Sequence, residues 1–242
     1  MNKGSLENTG LAYTTRLPFS QACENNKGRI LSVLQQELQN YHFVFEVGSG
    51  TGQHSVYFAP GLSHLQWQTS DVIDNHRVIQ RWHDKHSAPN LHPPLAFDLT
   101  TDDIPTPLNS MDSQTGNLPY DAVFTANTLH IIAWPLVERL FELVGEAMPI
   151  YGKFVIYGPF NENGQYSSDG NRQFDKQLRE RDSNSGIRDK EDIIALAKRY
   201  HLMLDNQYKM PASNEILVFK KKQSLNFEIY NHQPILLMRV NE

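Results

Sequence analysis

The chain of 242 residues has one cysteine, Cys23. It therefore has no internal disulfide framework, and it fits a reducing compartment. No apolar run approaches the ~20 residues of a membrane span. The stretch from Met1 to Arg16 is polar and lacks the apolar core of an export signal. We therefore expect a cytoplasmic protein with no membrane partner. A strong charge of one sign is missing too: 22 Lys and Arg stand against 27 Asp and Glu, a net charge of -5, which argues against an extended nucleic-acid surface. His83 and His86 lie three apart beside Asp84 and Lys85 on what reads as an exposed helix end, without a second spaced ligand pair, so no metal is expected. Cys23 stands alone, which leaves a Cys/His nucleophile without support. The length suits one α/β domain with a substantial core.

What is present centres on Phe43-Val44-Phe45-Glu46-Val47-Gly48-Ser49-Gly50-Thr51-Gly52-Gln53. Val44, Phe45 and Val47 form a continuous apolar run, as in a central parallel strand covered on both faces. Glycines at alternate positions then allow backbone angles closed to other residues. A strand that turns there into a helix is expected to leave amide donors facing a ligand. The spacing is not G-x-G-x-x-G, because the sixth position from Gly48 is Gln53. Nor does Gly-Lys-Ser/Thr follow, as Gly52 precedes Gln53 and His54. The remaining pattern, Glu46-x-Gly48-x-Gly50-x-Gly52, resembles the first motif of class I S-adenosylmethionine (SAM) dependent methyltransferases. The resemblance implies that this turn faces the carboxypropyl end and the sugar of SAM.

Residues 1–22 are polar and irregular and read as an arm, loose or folded over the active face. Ile30, Leu34, Leu38 and Tyr41 recur at helical spacing between Asn26 and Tyr41, and Glu24 to Lys27 would stand at that helix's entrance. Gln53 to Ala59 gives a short helix ended by Pro60-Gly61. The second strand, 66–71, stops at Asp71, nineteen residues past Gly52. A carboxylate there can take both ribose hydroxyls, or it can cap the helix at 75–85. A third strand is expected at Leu95–Leu99. Asp98 beside it is either an adenine contact, as the methyltransferase resemblance implies for Asp98 and Leu99, or a turn residue. The fourth strand, 120–127, ends at Asn127, with His130 close by at the carboxyl edge where ligands of open α/β sheets collect. Trp134 to Met148 is a core-facing helix. A fifth strand ends at Tyr157 and breaks at Gly158-Pro159, and the 161–170 loop carries Tyr166. Helices around Arg172–Arg179 and after the cap Asp189 follow, and strands 202–210 and 215–221 close the pattern as an antiparallel pair. The run Ile235–Met238 is too short to cross a membrane and reads as an added edge strand or an interface segment.

Five strands alternating with helices, then a hairpin, match the Rossmann-like class I methyltransferase fold: seven strands, mostly parallel, with the last antiparallel. The chain also resembles a narrower group, the methyltransferase-like twenty-six kind, over about Cys23 to Lys221. The matching strings are Asn26-Lys27, Glu46 to His54, Trp67 to Asp71, Tyr157-Gly158-Pro159-Phe160, Phe174-Asp175 with Arg179, Gly186 to Asp189 and Met210 to Asn214. The domain is thus expected at 23–222, with a C-terminal extension at 223–242. The resemblance implies SAM as cofactor and S-adenosylhomocysteine (SAH) as product. It implies Asn26, Lys27, Glu46, Gly48, Ser49, Gly50, Gly52, Gln53, His54, Asp71, Asp98, Leu99 and Asn127 as cofactor residues.

Methyl transfer is an in-line displacement, so alignment and desolvation carry much of the catalysis. A neutral amine or hydroxyl acceptor also needs a base, for which His130 is the first candidate and Tyr157 stands beside it; a satisfied structural histidine is the alternative. Tyr166, Asp175, Arg179, Arg188 and Asn214 are candidates to line the acceptor pocket. The two arginines suit an anionic acceptor, or else an internal network with Asp175 and Asp189. The expected partner is a small molecule. The competing function is a SAM-binding sensor or partner protein without turnover.

Overall fold

The computed structural model describes residues 17–107 and 120–223. Most of the expected arm, residues 108–119 and the Ile235–Met238 run lie outside the described residues. In chain order the elements are α1 (Gln21–Glu37), β1 (Phe43–Val47), α2 (Gln53–Gly61), β2 (Gln66–Asp71), α3 (Ile73–Lys85), β3 (Leu91–Ala96), β4 (Ala122–Ala126), α4 (Trp134–Ala147), β5 (Lys153–Asn161), α5 (Asp169–Arg181), the two-residue β6 (Arg188–Asp189), α6 (Lys190–Arg199), β7 (Leu202–Met210) and β8 (Asn214–Lys221), with a 3-10 turn at Pro211–Ser213 joining the last two. The sheet runs β3-β2-β1-β4-β5-β8-β7, with β6 pairing the end of β5. The pairs from β3 to β5 are parallel, and β8 is antiparallel to both neighbours.

The unbroken apolar runs follow from burial on both faces. Val44, Phe124, Val155 and Val218 point to the side covered by α1 and α2. Phe45, Val123, Phe154 and Phe219 point to the side covered by α4 and α6. On the first side Phe58, Trp67 and Phe124 meet with ring centroids 5.7 Å apart in each pair. Each buried ring contributes about 1.5–3 kcal/mol by removal from water. Among the described residues no helix is long and apolar enough to cross a membrane.

Several elements differ from expectation. α1 starts at Gln21, where Ser20 caps it by accepting from the Cys23 amide, so Glu24 to Lys27 lie inside the helix instead of at its entrance. The ordered body therefore already includes the end of the expected arm. β3 occupies Leu91–Ala96, earlier than the expected 95–99, and contains Pro93 and Pro94. It is an edge strand, the one place where prolines cost a sheet little. There the Gln68 and Thr69 side chains donate to the Pro93 and His92 carbonyls, at 2.6 and 3.0 Å. β5 does not break at Gly158-Pro159. Pro159 falls between the end of pairing with β4 at Tyr157 and the start of pairing with β6 at Phe160, while β8 continues opposite it. His83 is buried against the Ser55 hydroxyl at 3.1 Å, not on an exposed helix end.

At the amino ends of the strands, away from the glycine turn, Glu37 and Lys153 form a buried ion pair. The Glu37 carboxylate also accepts from Tyr208 and, at 2.9 Å, from Asn206. This knot ties α1 to β5 and β7.

Candidate active site

The chain order reverses between β1 and β4, so the crevice of this sheet opens above their carboxyl ends. Gly48, Gly50 and Gly52 all take positive φ, at 71°, 60° and 81°. A side chain at Gly52 would meet the Ile79 backbone at 3.2 Å, so that glycine lets α3 approach. A side chain at Gly50 would meet nothing within 4 Å, so that position looks into open space.

The turn does not hold out free amides as expected. The Gly48 and Ser49 amides both donate to the Ser70 carbonyl, at 3.1 and 3.0 Å, and the Gly50 amide donates to Asp71 Oδ2 at 2.7 Å. A phosphate cradle needs those donors free. This turn offers a ligand its surface and a carboxylate instead. Asp71 Oδ1 accepts from the Val72 amide and from Asn75 Nδ2, at 2.8 and 2.7 Å. Asp71 is not the helix cap, since Val72 holds that position. A carboxylate has about four acceptor sites and these bonds use three, so Asp71 retains room for one hydroxyl donor.

Other predicted cofactor residues sit around this turn in different ways. Glu46 is buried, accepting from Ser49 Oγ at 3.0 Å and Trp67 Nε1 at 2.9 Å. Gln53 holds the cap of α1 through both the amide and the carbonyl of Ser20. His54 stacks on Phe58 and bonds Asn26 Oδ1 at 2.7 Å. Lys27 turns to Glu24 at 2.6 Å and over the Tyr57 ring. Asp98 forms a local turn, accepting from the Thr100 amide and hydroxyl, which hold its carboxyl below the usual range. Leu99 packs against the core beside Arg139, which donates to its carbonyl. Asn127 ends β4 with φ 59°, a left-handed conformation rare outside glycine and of the strained kind found at functional sites.

Burial pushes the Glu46 carboxyl up to about 7, against hydrogen bonds from Trp67 and Ser49 that favour its ionised form. A folded-state value above the unfolded one means that the contribution is fully present below about pH 4.5 and lost as pH rises through 7. The shift corresponds to about 3 kcal/mol. Glu46→Gln, which keeps an acceptor for both donors, should therefore stabilise the protein at pH 8 relative to wild type and leave it nearly unchanged at pH 4.5. Urea unfolding at the two pH values measures this, and an equal effect at both would refute it. Burial acts oppositely on His54, His83 and His130, each lowered to about 4, so their neutral-form stability is lost as pH falls from 6.5 through 4.

Beside the crevice lies a cavity of about 310 Å³. Its α1 side is made by Asn25 and Asn26, its floor by Asn127, Tyr157 and Pro159, and its far side by Asn171, Phe174, Pro211 and Asn214. Of the five predicted substrate residues, Asn214 alone reaches this wall. Asp175 is buried, with Oδ2 accepting from Arg179 Nε and the Tyr166 hydroxyl, both at 2.8 Å, and Oδ1 accepting from the Ile187 amide at 2.6 Å. Arg188 donates to the carbonyls of Leu129, Ile132 and Asn184. The alternative of an internal network thus describes these side chains, although Asp189 pairs elsewhere: it caps α6 and accepts from the Gly164 amide at 2.6 Å. The network latches the 184–188 turn onto the 128–132 turn.

Tyr157 lines the cavity, and burial raises its hydroxyl above the ordinary value, so it is a donor and not a base at neutral pH. His130 does not line it. Its ring is buried edge-on against Phe174 at 5.3 Å, and burial and Arg188 make it a weak base. Asn171 was not legible as a site residue, since it reads as a helix-face polar group. Its one local signal is its amide, which donates to the cap Ser168 at 3.1 Å.

This sheet order and the crevice above β1 and β4 define the Rossmann-like fold of class I methyltransferases. The chain belongs to the family described as protein of unknown function (DUF938), whose model matches residues 17–221. Among solved structures it is similar to the SAM-dependent methyltransferase SibL in its apo form, at 15% identity and TM-score 0.67, covering 84% of this chain and 56% of that one. It is also similar to an O-methyltransferase family 2 protein from Planctomyces limnophilus in complex with apigenin, at 14% identity and TM-score 0.70, covering 83% and 57%. A third is human N-acetylserotonin methyltransferase in complex with SAM, at 13% identity and TM-score 0.62, covering 84% and 58%. The chain thus spans a little over half the length of each of these structures.

Proposed function

We propose that this protein is a SAM-dependent methyltransferase acting on a small molecule, of the methyltransferase-like twenty-six kind, with SAH as product. The observation that carries this reading is the glycine turn: an open Gly50 and an unsaturated Asp71 carboxylate beside amides already bonded to Ser70 and Asp71. Such a turn suits an adenosyl group, which is held by its ribose hydroxyls and its faces, better than a pyrophosphate. The fold's methyltransferase relatives support the same choice.

When bound, SAM supplies an electrophilic methyl that moves in line from sulfur to the acceptor. On this reading Asp71 receives a ribose hydroxyl, Gly50 lets the ligand approach the backbone, and Asn127 stands where the crevice meets the acceptor cavity. Tyr157 holds the acceptor by donating a hydrogen bond. Among the described residues that line the cavity none is a base of suitable strength, so positioning and removal from water carry the rate. An acceptor that must lose a proton gives it to solvent or is already ionised. The arginines no longer argue for an anionic acceptor, because both are bonded to the protein's own groups.

Titration calorimetry with SAM and SAH tests the reading: both should bind, and no heat from either would overturn it. Incubation with SAM labelled in the methyl group and a metabolite extract then separates the enzyme, which labels a small molecule, from a sensor, which binds without turnover.

A further inference from the structure

The acceptor cavity, taken as such on the methyltransferase reading, sets a few polar groups in a mostly apolar wall. Among the described residues that line it no side chain is ionised. The charged groups of α5, Arg172, Asp175 and Arg179, line a separate outward groove with Tyr166. The polar groups that do line the cavity are carboxamides and one phenol, and the existing bonds of Asn25, Asn26, Asn171 and Asn214 fix which end of each remains for a ligand.

On the far side, Asn171 Nδ2 donates to Ser167 Oγ at 2.7 Å and to the Ser213 carbonyl at 3.1 Å. A carbonyl can only accept, so the amide nitrogen is the end engaged and Oδ1 is left over. Asn214 repeats this, with Nδ2 directed to the carbonyls of Pro211 and Ala212 at 3.2 and 3.4 Å. These two side chains therefore present acceptors. Consecutive left-handed residues, Ala212 and Ser213 with φ 56° and 54°, hold the carbonyls in place.

The α1 side is the reverse. Asn25 Oδ1 accepts from Gln21 Nε2 at 2.8 Å, leaving its NH2 group. Asn26 Oδ1 faces His54 Nε2, which therefore carries the proton, leaving the NH2 group of Asn26. Tyr157, whose hydroxyl burial holds protonated, has a proton to donate. Donors stand on one side and acceptors on the other, and Pro159, Phe174 and Pro211 supply flat apolar walls.

We propose that this cavity selects an uncharged, flat molecule that carries a carbonyl-type acceptor toward Asn25 and Tyr157 and an N–H or O–H donor toward Asn171 and Asn214. Amides, lactams and similar ring compounds have this pairing. An ion of either sign would enter without a counter-charge, and half the wall would face it with the wrong polarity.

The test uses three probes of one shape: benzamide, benzoate and benzamidinium, titrated by ligand-observed NMR with and without SAH. Benzamide should bind about tenfold or more tightly than either ion. Tyr157→Phe should weaken benzamide about tenfold while leaving SAH affinity unchanged. Asn25→Asp, on an exposed part of α1, should shift the preference toward benzamidinium. Equal binding of an ion, or SAH binding with no benzamide binding, overturns the selection while leaving the cofactor reading intact. Benzamide selection without any SAH binding would uphold the cavity and overturn the cofactor reading.

Discussion

Gly50→Arg should abolish measurable SAM and SAH binding, with a loss of about a hundredfold or more, while the protein stays folded. The position has φ 60° but open space where a side chain would start, so the variant meets no clash within the protein. The left-handed backbone costs about 1–2 kcal/mol for a non-glycine residue, which lowers Tm by a few degrees in a domain of this size. The arginine would then occupy the space above the turn and bring a cation where the proposed ligand carries a sulfonium. Gly52→Val is the contrast: its side chain would press on the Ile79 backbone, so folding should suffer instead. Calorimetry beside a thermal melt separates the two. If Gly50→Arg binds SAH as wild type does, the turn is not the cofactor seat.

Lys153→Met should lower the unfolding free energy by about 3–5 kcal/mol, because it leaves the Glu37 carboxylate buried without its counter-charge. Tyr208 and Asn206 remain as donors but bring no charge. Adding Glu37→Leu should recover most of the loss, since the desolvated charge then disappears from both partners. SAH affinity should be unchanged in either variant, because the knot lies at the opposite ends of the strands from the crevice. Urea unfolding of the single and double variants measures this. A single variant within about 1 kcal/mol of wild type would be inconsistent with a buried charge at Glu37.

Much of the fold was legible from residues close together in the chain. Apolar runs marked the inner strands because both faces of the sheet are covered, and glycine spacing marked the turn after β1. Misplacement occurred where a local signal was answered by a distant partner. The third strand was expected at 95–99, but β3 begins at Leu91, because the edge position and the donors of Gln68 and Thr69 accommodate Pro93 and Pro94. Gly158-Pro159 argued for a break until β8 and β6 supported the strand on both sides. His83, polar in an exposed-looking stretch, is buried by Ser55, 28 positions away.

The site shows the same division. Gly50, Asp71, Asn127 and Tyr157 could be singled out as candidates because a strand's carboxyl end is a position that a sequence can reveal. The roles of Asp175, Arg179 and Arg188 were left between an anion site and a network, and the fold decided for the network by bringing the 184–188 turn against them. Asn171 and Glu37 gave no such signal. Residue order by itself determined which segments are buried and where the chain must bend, since these depend on side-chain type at periods of two and 3.6. Only tertiary structure decided which donor meets which acceptor, because a hydrogen bond requires approach to about 3 Å, and groups as far apart in the chain as Glu37 and Lys153 gain that closeness only once the sheet has formed.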